Sequence, residues 1–324
     1  MGKIKKKIAI ISGISGQDGS YLAELLVKKK YIVYGITNPK SKNKLNIINS
    51  IKGKIIIEKL DLNNYKKIAA LIKRIKPTEF YHLAAQSLIN FKFEDEFFKL
   101  NPNINGTHYI LSAIKEYSKK TKFYFAASSE LFGNAEKSPQ NENSKFNPRS
   151  AYGISKIAGY YLTKNYREAY KLFACSGILF NHESPRRNKK FVTRKITHGL
   201  ASIIKGKKNK LILGNIDSKR DWGHAKDYVY AMWKMLQIKT PTDFVIGTGK
   251  THTVKDFLII AFKYLNLDYR KFVTIDKKLL RKTDKIILKA DYKKAKNILK
   301  WKPKINFTSL IHEMVDSDLN QQKK

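Results

Sequence analysis

The chain has 324 residues, 65 Lys+Arg against 26 Asp+Glu for a formal charge of +39, with 42 % hydrophobic and 12 % aromatic residues. That length supports a sizeable core in one large domain or two smaller ones, and the apolar content excludes a disordered chain despite the charge. No apolar run reaches the roughly 18–20 residues of a membrane helix. The single cysteine, Cys175, excludes an internal disulfide, and no Cys/His spacing suits a structural zinc. The start MGKIKKKIAIISGISG has a basic head, but Gly13 interrupts its apolar run, so it reads as a first β-strand and not as a signal peptide. Lys6 breaks the myristoylation pattern that Gly2 would open. A soluble, cytoplasmic protein with no membrane partner is the expectation. Lysines are scattered between Ile and Asn along the whole chain, as a compositional bias with a solvated basic surface would leave them. A polyanionic partner, nucleic acid or a nucleotide ligand, is the alternative reading of the same charge.

In chain order, Lys7–Ser12 is a buried-strand run, followed by a glycine turn and a helical stretch over Ser20–Lys30 carrying Leu22, Leu25 and Leu26. Further strands are expected at Tyr31–Ile36, Lys54–Glu58, Glu79–Leu83, Lys122–Ala126 and Leu172–Ile178. The helices between them are expected at Tyr65–Ile75, Asn105–Tyr117 and Tyr152–Tyr170. Strands alternating with helices imply an α/β fold, a parallel sheet covered on both faces. After Asn181 the regularity loosens around Pro185, Pro241 and Pro303, with helices near Arg194–Lys205, Val254–Asn266 and Phe307–Leu319. That pattern suggests a smaller carboxyl-terminal lobe. No internal repeat or low-complexity linker is present.

Gly13-Ile14-Ser15-Gly16-Gln17-Asp18-Gly19 follows the first strand and opens the first helix. Glycines at this point permit a tight turn and close approach of a pyrophosphate, which then sits at the positive helix N-terminus. A plain glycine turn between strand and helix is the alternative. At the end of the second strand an NAD enzyme needs a carboxylate for the ribose hydroxyls. Tyr34–Lys40 has none, and Lys40, Lys42 and Lys44 follow. This favours a 2′-phosphate and so NADP, against the alternative of a lysine-rich surface loop. Tyr152 and Lys156 lie one helical turn apart and share a face. An ammonium there is expected to lower the phenol pKa and let Tyr152 act as a base. Ser128-Ser129-Glu130 precedes the pair by the spacing a catalytic Ser/Tyr/Lys set requires.

With these residues in view, the chain resembles the extended short-chain dehydrogenase/reductase superfamily and, within it, the GDP-mannose 4,6-dehydratase family. The resemblance covers nearly the whole chain. It rests on SGISGQDGSYLAELL (Ser12–Leu26), LAAQS (Leu83–Ser87), SSELFG (Ser128–Gly133) and PRSAYGISK (Pro148–Lys156). NHESPRR (Asn181–Arg187), FVTRKIT (Phe191–Thr197), GNIDSKRDWGHAKDYV (Gly214–Val229) and WKPKI (Trp301–Ile305) extend it. NHESPRR and KRDWGHAKDYV are its most specific segments.

The resemblance implies a Rossmann-type doubly wound parallel sheet with a smaller carboxyl-terminal substrate-binding lobe. Residues 1–180 would bind NADP, with returning segments near 215–250, and 181–324 would mainly hold GDP-mannose. Ser128, Glu130 and Tyr152 match the catalytic triad, with Lys156 on the nicotinamide ribose. Gly13, Ile14, Ser15, Gly16, Gln17, Asp18, Asp61, Leu62, Leu83, Ala84, Ala85, Gln86 and Ser87 match cofactor-binding segments, as do His182 and Arg187 beside the phosphates. Ser87, Asn181, Lys195, Arg220 and Arg281 match residues that hold the GDP-sugar, and a diphosphate requires such cations and amides. The family forms homo-oligomers, so a dimer or tetramer is implied.

Three departures stand out. Ser128 replaces a common Thr, Phe98 a usual Tyr, and Thr37-Asn38-Pro39 a pair of arginines, ahead of a shortened loop that helps build the tetramer in relatives. Reductases and epimerases of this fold need the Tyr/Lys pair but no carboxylate at Glu130. A non-catalytic nucleic-acid-binding protein needs neither. His82, His108, His198 and His252 show no ligand spacing and read as surface or satisfied core residues. His224 reads as holding its loop, Cys175 as an inert core thiol, and Trp222 and Trp301 as packing residues with guanine stacking as the alternative.

Overall fold

The computed structural model describes residues 6–39, 45–85, 93–279 and 287–321. In the first half strands and helices alternate: β1 (Ile8–Ser12), α1 (Gln17–Lys28), β2 (Ile32–Thr37), β3 (Ile55–Lys59), α2 (Tyr65–Ile75), β4 (Glu79–His82), α3 (Phe93–Tyr117), β5 (Lys122–Ser128), α4 (Ala151–Tyr170) and β6 (Ala174–Leu179). The second half is cut into shorter pieces: β7 (Asn181–Glu183), α5 (Val192–Ile204), β8 (Leu211–Leu213), β9 (Lys219–Arg220), β10 (Trp222–His224), α6 (Ala225–Met235), β11 (Phe244–Ile246), β12 (His252–Thr253), α7 (Val254–Lys263), β13 (Val273–Ile275), α8 (Lys293–Leu299) and α9 (Phe307–Gln321).

Seven strands form one parallel sheet in the order β3-β2-β1-β4-β5-β6-β11. Successive side chains of a strand point to opposite faces, so β1 sends Ala9 and Ile11 to one layer and Ile10 to the other. The first layer is filled by Leu22 and Leu26 of α1, Tyr228 and Met232 of α6, and Leu299 of α8. The second takes Ile68 and Ile72 of α2, Ile110 and Ile114 of α3, and Tyr160 of α4. A separate core gathers Ile196 and Leu200 of α5, Phe257 and Phe262 of α7, and Ile311 and Met314 of α9. Trp222 belongs to that core and stacks on Phe307 at 5.9 Å. Trp301 packs under the sheet, its Nε1 donating to the Asp227 carbonyl at 2.9 Å. Cys175 is wholly buried on β6, and burial pushes its thiol far above the ordinary value.

Helices α1 and α3 start earlier than the sequence pattern suggests. Helix α1 starts at Gln17 and not Ser20, because its N-cap is Gly16 within the glycine turn. Helix α3 runs back to Phe93 through Pro102. A proline removes one intrahelical hydrogen bond, and packing of α3 between α2 and α4 keeps the helix continuous. No helix among the described residues is long and apolar enough to cross a membrane.

This topology concentrates loops at the carboxyl ends of the strands. The chain reverses direction across the sheet between β1 and β4, and crevices of this kind are where open α/β sheets bind ligands.

Candidate active site

The turn after β1 is shaped by backbone. Gly13 has φ +76°, and a Cβ there would lie 2.9 Å from both the amide nitrogen and the Cα of Ala84 at the exit of β4. A side chain at residue 13 would therefore meet strain and backbone together. Ile14 is fully buried beneath the turn. Gly16 offers the first-turn amides of α1 no side-chain cap, which leaves that helix end suited to an anion.

The segment 181–187 is stitched to α1. Gln17 donates its amide to the His182 carbonyl at 3.1 Å and accepts the Ser184 hydroxyl at 2.7 Å. The His182 ring faces the Asp18 carboxylate at 2.8 Å through Nε2 and the Phe180 carbonyl at 2.7 Å through Nδ1. Both partners are acceptors, so both ring nitrogens carry hydrogen and His182 is an imidazolium. Burial lowers its pKa, but Asp18 more than offsets that and raises it. Burial likewise raises Asp18, and the charge and hydrogen bond of His182 bring it below its ordinary value. Arg187 ion-pairs with Glu183 at 3.2 Å and lies over the Phe191 ring at 3.6 Å, and its field reaches Asp18 and Tyr152. A left-handed glycine turn, an uncapped helix end and a held guanidinium fit the pyrophosphate of a dinucleotide. His182 itself is fully engaged with protein acceptors, so it orients Asp18 and the loop.

The second part of the site lies at the end of β5. Ser128 caps a single 3-10 turn at Ser129–Leu131 and accepts the Glu130 amide at 3.3 Å. Ser150 caps α4 by accepting the Gly153 amide at 3.1 Å, which fixes Tyr152 in the first turn and Lys156 one turn later. A Cβ at Gly153 would meet the Glu130 carbonyl at 2.9 Å, so α4 can press against the turn that carries the carboxylate. Ser128, Glu130 and Arg187 all lie near enough to act on the ionisation of Tyr152, Ser128 and Arg187 favouring the phenolate and Glu130 opposing it. Lys156 is buried, with Nζ donating to the Ala126 carbonyl at 2.7 Å and standing 5.7 Å from the Tyr152 ring centre.

The pKa expectation for this pair needs correcting. Burial pushes Tyr152 up to about 12, opposed by the Ser128 hydrogen bond and aided by Glu130. Burial also brings Lys156 down to about 8. The ammonium is turned onto the β5 carbonyl, so desolvation outweighs its pull on the phenol.

The remaining residues are more dispersed. Asp61 follows β3 and accepts the Asn63 amide at 3.0 Å, while Leu62 packs on α3 at Gly106. Leu83, Ala84 and Ala85 leave β4 beside the glycine turn and are partly buried. Asn181 follows β6 and is in register with Trp222 on β10. Lys195 is exposed on α5, and Arg220 on β9 donates to the Ser218 hydroxyl at 3.0 Å and the Lys219 carbonyl at 2.8 Å. Lys40, Lys42, Lys44, Gln86, Ser87, Arg281 and the side chain of Phe98 lie outside the described residues. His224 caps α6 by accepting the Lys226 amide at 3.0 Å and meets Glu313 at 2.9 Å. Among the described residues no group of three or more His, Cys, Asp or Glu could hold a metal.

Sequence reasoning missed Arg186, whose guanidinium binds Ser20 at 3.1 Å and Glu24 at 2.6 Å and so fastens the segment to α1. Its only signal was the doubled arginine. His82 also appeared unremarkable, yet it lies fully buried between β1 and α3, hydrogen-bonded on both sides.

A family model described as GDP-mannose 4,6 dehydratase matches residues 10–314. The chain is 44 % identical over 331 residues to GDP-mannose 4,6 dehydratase 1 of Arabidopsis thaliana, covering 98 % of this chain and 91 % of that protein. A dTDP-glucose 4,6-dehydratase from Bacillus anthracis, solved in complex with NAD, superimposes with a TM-score of 0.85 at 19 % identity, covering 98 % of each chain. RMD from Pseudomonas aeruginosa, complexed with NADPH, superimposes at 0.83, again with 19 % identity and 98 % of each chain. These two structures share the fold.

Proposed function

The chain belongs to the GDP-mannose 4,6-dehydratase family, and from that premise we infer that it is a nucleotide-sugar hydro-lyase working with a nicotinamide cofactor. It converts GDP-α-D-mannose to GDP-4-dehydro-6-deoxy-D-mannose and water. The observation that carries this reading is the placement of the carboxylate residue Glu130 on a turn capped by Ser128 and packed against the helix start that bears Tyr152 and Lys156.

A bound nicotinamide supplies the hydride acceptor for C4 and the hydride donor for C6. The chain's own groups move the protons. Tyr152 takes the C4 hydroxyl proton while Ser128 holds that oxygen. With its pKa near 12 the resting side chain is a phenol, so proton removal has to be coupled to sugar engagement. Lys156, with a pKa near 8, keeps its ammonium at neutral pH and holds positive charge beside the phenol. Once C4 is a carbonyl, the hydrogen on C5 is acidic, and Glu130 removes it as general base. Water then leaves C6 with a proton delivered at this same corner, and once C6 has received its hydride a proton returns to C5. Arg187, held by Glu183 and Phe191, faces phosphate, and Asn181, Lys195, Arg220 and Arg281 hold the GDP moiety.

The cofactor in this reading is NADP, supported by the lack of any carboxylate from Tyr34 to Lys40 that would repel a 2′-phosphate. We divide the labour between 1–180, with returns near 215–250, for the dinucleotide, and mainly 181–324 for the GDP-sugar. The protein works in the cytoplasm as a homo-oligomer, for which the exposed Ile154 and Tyr161 on α4 provide an apolar face.

The test is incubation with GDP-mannose and trace NADP, with the sugar identified by mass and NMR. A keto-deoxy sugar lighter by one water, without net cofactor reduction, is expected. An isomer of unchanged mass, or a product requiring stoichiometric NADPH, would overturn the assignment.

A further inference from the structure

A continuous run of buried hydrogen bonds crosses the protein from the glycine turn to the catalytic helix, and the mechanism above uses none of it. Ser12, His82, Thr107, Asn103 and Ser155 are all buried. Ser155 donates its hydroxyl to the Tyr152 carbonyl at 2.8 Å, and its oxygen accepts the Asn103 side-chain amide at 3.1 Å. Thr107 donates its hydroxyl to the Asn103 carbonyl at 2.8 Å. His82 then bridges Thr107 through Nε2 at 3.1 Å and Ser12 through Nδ1 at 2.7 Å. The Ser12 oxygen also accepts the amides of Leu83 and Ala84 at 3.2 and 3.3 Å.

Donor counting settles the proton on the ring. The single hydroxyl hydrogen of Thr107 is committed to Asn103, so the His82 Nε2 must donate to it. Both lone pairs of Ser12 are filled by two backbone amides, so its hydroxyl must donate to Nδ1. The two ends independently demand the same neutral tautomer. A second proton on the ring would face an oxygen with no acceptor capacity left. The surroundings agree, since burial and the nearby Lys156 charge bring the imidazole down to about 3.

We propose that His82, as the neutral Nε2–H tautomer, is a positioning residue that ties the glycine turn to the first turn of the helix bearing Tyr152, through Ser12, Thr107, Asn103 and Ser155. At one end the chain fixes the Ala84 amide, the backbone that Gly13 approaches so closely. At the other it grips the carbonyl of Tyr152 itself. The cofactor cradle and the catalytic tyrosine are thereby held in one register. The proposal rests on the reading above only for the role of Tyr152.

The first test is the long-range proton–nitrogen spectrum of the ¹⁵N-histidine-labelled protein, with His82 assigned by its loss in His82→Phe. The neutral Nε2–H pattern is expected from pH 8 to pH 5. An Nδ1–H tautomer, or an imidazolium at pH 6, overturns the proposal. The second test uses His82→Phe, Ser12→Ala and Ser155→Ala. Each should weaken NADP binding, read by titration, and lower kcat, both by about tenfold on the scale of one buried hydrogen bond. The KM for GDP-mannose should stay within about twofold. His82→Gln keeps a donor and an acceptor and should recover most of the loss, so a Gln variant no better than Phe overturns the coupling.

The double variant Ser12→Ala/Ser155→Ala should lose about what the worse single variant loses, whereas losses that multiply show independent ends. Should His82→Phe fail to fold, His82→Gln supplies the assignment, and the two serine variants and the spectrum decide. NADP affinity and the tautomer need no sugar turnover, so they remain readable if the dehydratase assignment fails.

Discussion

The glycine turn and the corner formed by Ser128, Glu130, Tyr152 and Lys156 occupy the same edge of one sheet but are built from different materials. At the turn, shape comes from missing side chains and neutral hydrogen bonds: Gly13 is left-handed against Ala84, and Ser12 accepts two amides while donating to His82. At the corner, buried ionisable groups dominate, with Tyr152 raised to about 12 and Lys156 lowered to about 8. The contrast follows from the tasks. A pyrophosphate must be approached closely by rigid donors, and a backbone turn does that without reorganising. At the corner burial moves the two groups in opposite senses: it brings Lys156 towards balance near neutral pH and keeps Tyr152 a phenol until the sugar engages it.

The sharpest way to separate the two regions is Glu130→Gln. Turnover of GDP-mannose should fall by about a thousandfold, within the usual range for a general base, while NADP affinity and melting temperature stay unchanged. Near-wild-type turnover would remove Glu130 from the mechanism. Gly13→Ala attacks the other region. It should cost about 1–3 kcal/mol of stability through positive-φ strain and weaken NADP binding at least as clearly, in denaturation and titration experiments. Normal binding by this variant would mean that the turn is not the cradle.

The third effect is on pH. Lys156 titrates near 8 in the folded protein and near its ordinary 10.5 when unfolded. Between those values the unfolded chain holds a proton that the native state has released. This group's contribution to stability therefore rises with pH across the window, by at most about 1.4 kcal/mol per unit. Turnover should do the opposite and fall through about pH 8 as the ammonium is lost. Lysine Cε NMR should show one titration near 8 that disappears in Lys156→Met, and a Lys156 midpoint above 10 would refute both statements. The smallest expected effect concerns the cofactor's far end. NADP should bind more tightly than NAD, by a margin that shrinks with salt, since lysines provide point charges without bidentate geometry. Tighter NAD binding at every ionic strength would overturn it.

The first half of this chain was legible because local pattern and tertiary role coincide. Strands β1, β4, β5 and β6 are buried on both faces, the edge strand β3 keeps its isoleucine run although it is only partly buried, and each strand is followed by a turn signal or an amphipathic helix. Helix α6, strand β11 and helix α8 were not legible as elements. Phe244–Ile246 is a three-residue strand that exists because it pairs with β6, and nothing local to those residues announces a seventh strand. Helix α3 was cut short at Asn105 because Pro102 is a local breaker that packing overrides.

At the site, residue types and spacing marked Gly13 to Asp18, Ser128, Tyr152 and Lys156 as candidates, and the family resemblance added Glu130 and the NHESPRR segment. Tertiary structure decided their protonation and their partners. Sequence spacing placed Lys156 one turn from Tyr152 and suggested a lowered phenol pKa. Only the fold shows the ammonium turned onto Ala126 and both groups desolvated. His182 became an imidazolium because Asp18, 164 residues away, faces it, and His82 became a neutral bridge because Ser12 and Thr107 do. A histidine's sequence neighbours do not reveal which acceptors will surround it. Charge state depends on burial and on groups distant in the chain, and those exist only after the sheet has assembled.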